Sequence, residues 1–297
     1  MLKQFLSLRQ RKVGDKIMKN ISSKETVSIQ SLEKKAKEIR LKTFEMVTNV
    51  GKGHLGGSFS NLEILVALYY GGILRFDAKN PKWEGRDIFI LSKGHASNSL
   101  YVILADLEFF HESELEKFSQ DGSFLGQHSE AIVSGIEVGT GSLGHGLGVG
   151  GGMALGNKID GKDNLVFVML GDGECQEGSV WEAAMFAGHH ELYNLIAIVD
   201  RNKLGSEDFT ENTCKLEPFA DKWRDFGWEV KEIKDGHSFP EIFEVFKDCR
   251  NRKNPKPLMI IANTIKGKGL SCLENLPKAH HTVPRGEEAE RSRKELL

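Results

Sequence analysis

The chain has 297 residues, with 40 Lys and Arg against 42 Asp and Glu and a formal charge of −2. That length suffices for one large α/β core or two domains, and the near balance of charge excludes the basic field of a nucleic-acid binder. No apolar run approaches the roughly 20 residues that cross a bilayer, and Cys175, Cys214, Cys249 and Cys272 lie far apart with no C-x-x-C, so they read as reduced thiols of a cytoplasmic protein rather than as disulfides or zinc ligands.

Residues 1–30 are polar and mildly basic and read as an extension outside the fold: a frayed tail, a stretch ahead of a start at Met18, or, less well, a targeting peptide. From Ser31 to Val50 the apolar face Leu32, Ala36, Ile39, Phe44, Val47 predicts a helix. It runs into Gly51–Ser58, where His54 stands among glycines on a loop. Ser60 and Glu63 have capping-box spacing and predict a helix over Asn61–Leu74. Asp87–Leu91 is a strand, ending at Ser92-Lys93-Gly94-His95 before a helix that reaches about Leu107. Residues 111–119 suggest a short exposed helix, and Phe124–Glu130 a loop carrying His128. Two G-x-G-x-x-G matches fall in Gly139–Gly156, but a dinucleotide fingerprint needs a strand just before it and none is evident. Leu143–Gly156 reads instead as a loop passing into a helix of small residues.

The most informative stretch is Leu165–Gly205. Leu165–Leu170 is an apolar strand that stops at Gly171-Asp172-Gly173. Glu177–His190 has helical spacing, and Leu195–Val199 is a second strand ending at Asp200-Arg201-Asn202. Strand–helix–strand units of this length are right-handed parallel crossovers, so both strand ends face one sheet edge, where open α/β folds bind ligands. Asp172 offers a carboxylate there, Asn202 an amide oxygen, and the backbone near Leu204 a carbonyl, a donor set suited to Mg²⁺, with Ca²⁺ or Mn²⁺ as substitutes. Gly171 and Gly173 let a diphosphate approach the backbone, and the helix that follows offers it unpaired N–H groups. Gly-Asp-Gly alone would be an ordinary turn; the flanking strands and Asn202 argue for more.

Beyond it, Phe219–Phe226 is a helix, Trp228–Ile233 a strand, Ser238–Cys249 a helix and Pro257–Asn263 a buried strand. Thr264–Gly269 (TIKGKG) lacks the order of a nucleotide P-loop. His280-His281 lies in irregular chain, and residues 285–297 are a charged helix or tail. The alternation predicts an α/β fold: a mostly parallel sheet with helices on both faces.

The Gly171–Asn202 stretch is similar to the thiamin-diphosphate signature. With Gly53-His54, LSKGHA at Leu91–Ala96, GTGSLGHG at 139–146, GDGECQEG at 171–178, FGWEV at 226–230 and TIKGKG, the chain resembles transketolase, and more narrowly the amino-terminal subunit of split transketolases, from about Ser31 to Pro284. The resemblance implies a thiamin-diphosphate-binding (diphosphate-type) domain over 31–284 and a charged tail over 285–297. It implies Asp172, Asn202 and the Leu204 carbonyl as metal ligands. His95, Gly141, Leu143, Gly171, Asp172, Gly173, Glu177, Asn202 and His280 would contact the cofactor, and His54, His95, His128 and His280 would act on the substrate. Glu177 and Glu182 would lie near a subunit contact. Two departures stand out: Gln127-His128-Ser129-Glu130 replaces the family's Gly-His-Pro-Glu, and Ala279-His280-His281 its Trp-His-Gly, which leaves His280 against His281 open. The implied activity is transfer of a two-carbon ketol unit from a ketose phosphate to an aldose, as in the pentose phosphate pathway. It would need a carboxy-terminal partner subunit that supplies the activating glutamate, in an α₂β₂ assembly. No nucleic-acid or membrane partner is expected. The rival readings are an NAD(P)-dependent oxidoreductase using the glycine run, and a non-catalytic subunit that holds thiamin diphosphate without turnover.

Overall fold

A computed structural model describes residues 27–297. The reading of residues 1–30 as an extension falls mostly outside them. The first helix, α1 (Ile29–Val50), starts two residues earlier than the apolar spacing predicts, because the Ser28 hydroxyl accepts from the Ser31 N–H at 3.1 Å.

Five strands form one all-parallel sheet: β1 (Ile88–Leu91), β2 (Val166–Gly171), β3 (Leu195–Arg201), β4 (Glu229–Ile233) and β5 (Leu258–Asn263), in the order β1-β2-β3-β5-β4. The three central strands, β2, β3 and β5, are buried almost without interruption, as parallel strands covered on both faces must be. Their side chains divide by parity. Phe167, Met169, Ile196, Ile198 and Ile260 join one core with Leu32, Phe44, Phe59 and Tyr101; Val166, Val168, Leu170, Ala197 and Met259 join a second with Leu147, Val180, Trp223 and Trp228. The first core is closed by α1, α3 (Leu62–Tyr70), α4 (Ser97–Asp106), α9 (Phe239–Phe246) and α10 (Gly286–Leu296). The second is closed by α5 (Gly146–Ile159), α6 (Gly178–His189) and α8 (Phe219–Asp225), with the single turn α7 (Thr210–Thr213) between the last two in the chain. The predicted fold class is therefore the observed one. No described helix is long and apolar enough to cross a membrane.

Two local expectations change. The predicted Asn61–Leu74 helix is shorter, α3 running from Leu62 to Tyr70, and a further short helix, α2 (Leu55–Ser60), precedes it where a loop is expected, with Asn61 making the break. The capping box is not formed, because both of its side chains have stronger partners elsewhere. The Ser60 hydroxyl lies within hydrogen-bond reach of Gly57 O and of Asp200, and Glu63 pairs with Arg40 at 2.5 Å and with His237 at 2.8 Å. The second change is at Gly171-Asp172-Gly173. The long helix does not follow directly; a 3₁₀ turn, Gly173–Gln176, intervenes before α6. The charged terminal segment is a helix, α10, whose Leu296 reaches the first core.

Candidate functional site

Parallel pairing brings every strand's C-terminal end to one edge. Gly171 is level with Asp200, and Arg201 with Asn263. Beyond those ends lies a cavity of about 510 Å³.

Asp172, Asn202 and Leu204 all line it, as do Gly171 and Gly173. Asp172 Oδ1 accepts from Gly173 N at 2.7 Å, while Oδ2 accepts from Lys203 N at 2.5 Å and from Arg201 Nη1 at 3.3 Å. Burial, and next the charge of Asp200, push its carboxyl up to about 6 against the pull of Arg201. A carboxylate so strained by lost water and a like charge gains from a cation beside it. The Asn202 Oδ1 accepts from Leu204 N at 3.1 Å, and the Leu204 carbonyl accepts from Lys266 Nζ at 3.3 Å. Three oxygens of the kinds a hard cation takes thus stand at one end of the cavity, each with lone-pair capacity left. They fit Mg²⁺.

The expectation that helix N–H groups follow the turn needs correction. The Gly171 N–H is taken by Glu174, at 3.0 Å, and α6 starts farther on at Gly178. Glu174 is buried, and its carboxylate also accepts from Gly144 N at 2.9 Å and Ser92 Oγ at 2.5 Å. It pins the ends of β1 and β2 to the loop before α5. An anion meets cationic side chains instead. Lys93 and Lys266 are both buried and both line the cavity. Lys93 donates to Asp200 and, at 3.1 Å, to Gly57 O. Burial would raise the Asp200 carboxyl, but Lys93, Ser60 and Thr264 outweigh it and hold it below the usual range. Lys266 donates to the Leu204 and Gly205 carbonyls, and burial, then Lys93, push its ammonium down to about 8. Sequence reasoning misses both lysines; their position directly before a glycine, just past β1 and β5, is the available signal.

The histidines gather at the other end. His54 centres on His95 at 5.5 Å, His128 at 5.7 Å, His280 at 5.4 Å and His281 at 4.9 Å, ring to ring. His95, His280 and His281 line the cavity; His54 and exposed His128 adjoin them. Burial is the main cause that pushes His54 down to about 4, with His281, His128 and Lys266 adding to it, and it pushes His280 to about 3. His95 is also held well below the ordinary value, first by burial and then by Lys93. These rings are neutral at pH 7.

Leu143 lines the cavity, whereas Gly141 and Glu177 do not. Gly141 has φ 147° and backs the His128 ring, with space for a β-carbon only 3.2 Å from it. Glu177 is the exposed N-cap of α6 and packs on Gly144. His237, between β4 and α9, is half of a buried connection. Its Nδ1 meets Glu63 at 2.8 Å and its Nε2 accepts from the Ile265 N–H at 2.9 Å, next to Lys266. The glycine run is a loop passing into α5, and the preceding strand among the described residues is β1, more than forty residues earlier, so the fingerprint context of a nicotinamide site is missing.

The chain matches the family model "Transketolase, thiamine diphosphate binding domain" over residues 31–297. It is 40% identical over 270 residues to an apulose-4-phosphate transketolase subunit of Phocaeicola vulgatus, covering 91% of this chain and 95% of that one. It is 42% identical over 251 residues to the 6-deoxy-6-sulfo-D-fructose transketolase subunit SqwG of a Clostridium species, covering 84% and 90%. The crystal structure of transketolase from Campylobacter jejuni superposes with a TM-score of 0.83 at 34% identity, covering 91% of this chain but 43% of that one, so the chain spans less than half of that transketolase. On its sequence, its sheet and its cavity alike, this chain belongs to the thiamine diphosphate-binding domain family of transketolases.

Proposed function

We propose that the chain is the amino-terminal subunit of a split transketolase, which moves a two-carbon ketol unit from a ketose phosphate to an aldose acceptor with thiamin diphosphate and Mg²⁺. The observation that carries this reading is the cavity itself, with oxygen donors at one end and neutral imidazoles at the other. Asp172, Asn202 and the Leu204 carbonyl would hold the metal, and the metal with Lys266 would hold the diphosphate. When bound, the cofactor supplies a nucleophilic carbon and an electron sink for the carbanion that ketol transfer requires.

The chain's own groups do the rest. His54, His95, His128 and His280 would meet the sugar hydroxyls and the carbonyl oxygen. A neutral imidazole accepts a proton at one nitrogen and donates from the other, so it can bond these oxygens and move protons between them. Burial of His54, with His95 half-buried beside it, would limit water at the reacting end. Leu143 gives the cavity an apolar wall.

The need for a partner is supported by relatives of similar length named as subunits. It is also supported by an exposed apolar face on two helices. There α5 and α6 present Val149, Met185 and Phe186 to solvent, next to Glu177 and Glu182. A carboxy-terminal subunit seated there would supply the activating glutamate, in an α₂β₂ assembly. The unpaired cysteines suit a reducing compartment such as the cytoplasm. The relatives' names make apulose 4-phosphate and 6-deoxy-6-sulfofructose the first ketoses to try.

The test is reconstitution. The chain is mixed with its partner subunit, thiamin diphosphate, Mg²⁺ and each ketose, and two-carbon transfer to an aldose is followed. Turnover that needs all of the components is the expected result. A folded complex that binds the cofactor but never turns over would move the chain to the non-catalytic reading.

A further inference from the structure

We propose that His54, His280 and His281 form a second, nitrogen-donor cation site in the same cavity, one that takes a borderline transition-metal ion such as Zn²⁺ and so closes the cavity to a sugar. One ring nitrogen from each lies within 4.8 Å of the others. Tetrahedral zinc with Zn–N bonds of about 2.0–2.1 Å holds its donors about 3.3–3.4 Å apart. The rings must therefore close by roughly 1 Å or a little more. His281 supplies that movement. It is exposed, follows the short turn Pro277–His280, and meets His280 edge-on at 4.5 Å between ring centres.

His54 supplies the fixed point. It is 5% exposed, and its Nδ1 is buried without a hydrogen-bond partner. A polar atom kept dry and unbonded carries a cost that a ligand removes. Softness separates the two ends of the cavity. Carboxylate, amide and carbonyl oxygens select Mg²⁺ or Ca²⁺, whereas imidazoles select zinc, copper or nickel. Lys266 opposes any cation beside His54 and His280, and Asp172 and Asp200 in turn offset its charge. The site is therefore reversible rather than a structural zinc centre. The closing of the cavity to sugar rests on the transfer reading above; the binding of metal does not.

The experiment titrates Co²⁺, with Mg²⁺ in excess, into the full chain purified without a histidine tag. The expected result is the intense visible absorption of Co²⁺ in a low-coordinate nitrogen shell, saturating at a single equivalent and displaced by Zn²⁺. His281→Ala, at an exposed position, should weaken it about tenfold or more, and His280→Ala likewise, while Asp172→Ala keeps it. No such band, parental titration in both histidine variants, or loss in Asp172→Ala would overturn the site. In the reconstituted complex Zn²⁺ should slow transfer in competition with the ketose, and His281→Ala should need about tenfold more Zn²⁺ for the same slowing. Zinc bound without slowing overturns the closing step. Absence of turnover before any zinc is added tells instead against the transfer reading.

Discussion

The two ends of the cavity are assembled in different ways. At the oxygen end, Asp172, Asn202 and Leu204 come from the tips of neighbouring strands, and the register of β2 on β3 fixes their spacing. At the imidazole end, His54, His95, His128 and His280 come from four loops scattered over more than two hundred residues, and only tertiary packing collects them. The sheet makes the first end rigid and local. The second depends on several contacts at once. The division also follows chemistry: an anchor needs fixed donors, whereas proton movement needs groups that change hydrogen-bond roles.

The comparison breaks most sharply if the ends are altered one at a time. Replacing His54 with Asn should lower turnover of the reconstituted complex about 10²- to 10⁴-fold, the range of a lost acid–base group, with cofactor affinity changed much less. Steady-state kinetics beside calorimetric titration of thiamin diphosphate separates the two. Asp172→Ala should do the reverse, weakening the cofactor about 100-fold or more in the presence of Mg²⁺. If it binds as before, the oxygen end is not an anchor.

Acid should act on the imidazole end. His54 falls from the ordinary value of 6.5 to about 4 in the fold, and His280 to about 3. Between 6.5 and those values the unfolded chain binds protons that the folded chain refuses, so stability is present above pH 6.5 and is lost as pH falls. The slope is at most about 1.4 kcal/mol per pH unit for each such histidine. Denaturant titrations across this window should show it, and it should shrink in His54→Asn.

Smaller effects test what joins the ends. Lys266→Met removes one charged donor and should weaken inorganic pyrophosphate binding by about 1.5–3 kcal/mol. His237→Gln keeps a donor and an acceptor and should stay within a few tenths of that parent value. His237→Phe, by contrast, frees the Ile265 N–H and should shift pyrophosphate affinity toward that of Lys266→Met.

Much of this is legible in the sequence. Apolar runs ending in glycine and acid mark β2, β3 and the anchor, because a strand and its ending are local features. The histidines are legible as loop residues at strand or helix ends, though not as one cluster. What stays hidden has partners far away in the chain. Lys93 meets Asp200, which is 107 residues on, and Ser60 meets the same carboxylate across 140 residues. Glu63 is spaced as a cap for its own helix but is drawn off by Arg40 and His237, and burial makes that pairing the stronger demand. Glu174 reads in the sequence only as part of a motif, although its carboxylate joins three segments.

Gly56 has a mechanical role of its own. A β-carbon there would stand 2.5 Å from the Ala279 carbonyl oxygen, and its own carbonyl accepts from Gly267 N at 3.0 Å. The helix just after His54, the turn carrying His280 and the loop carrying Lys266 are thus clamped at a single bare backbone position. Any side chain at 56 would wedge the three apart together, so this one small residue sets the gauge of the chamber without ever touching what enters it.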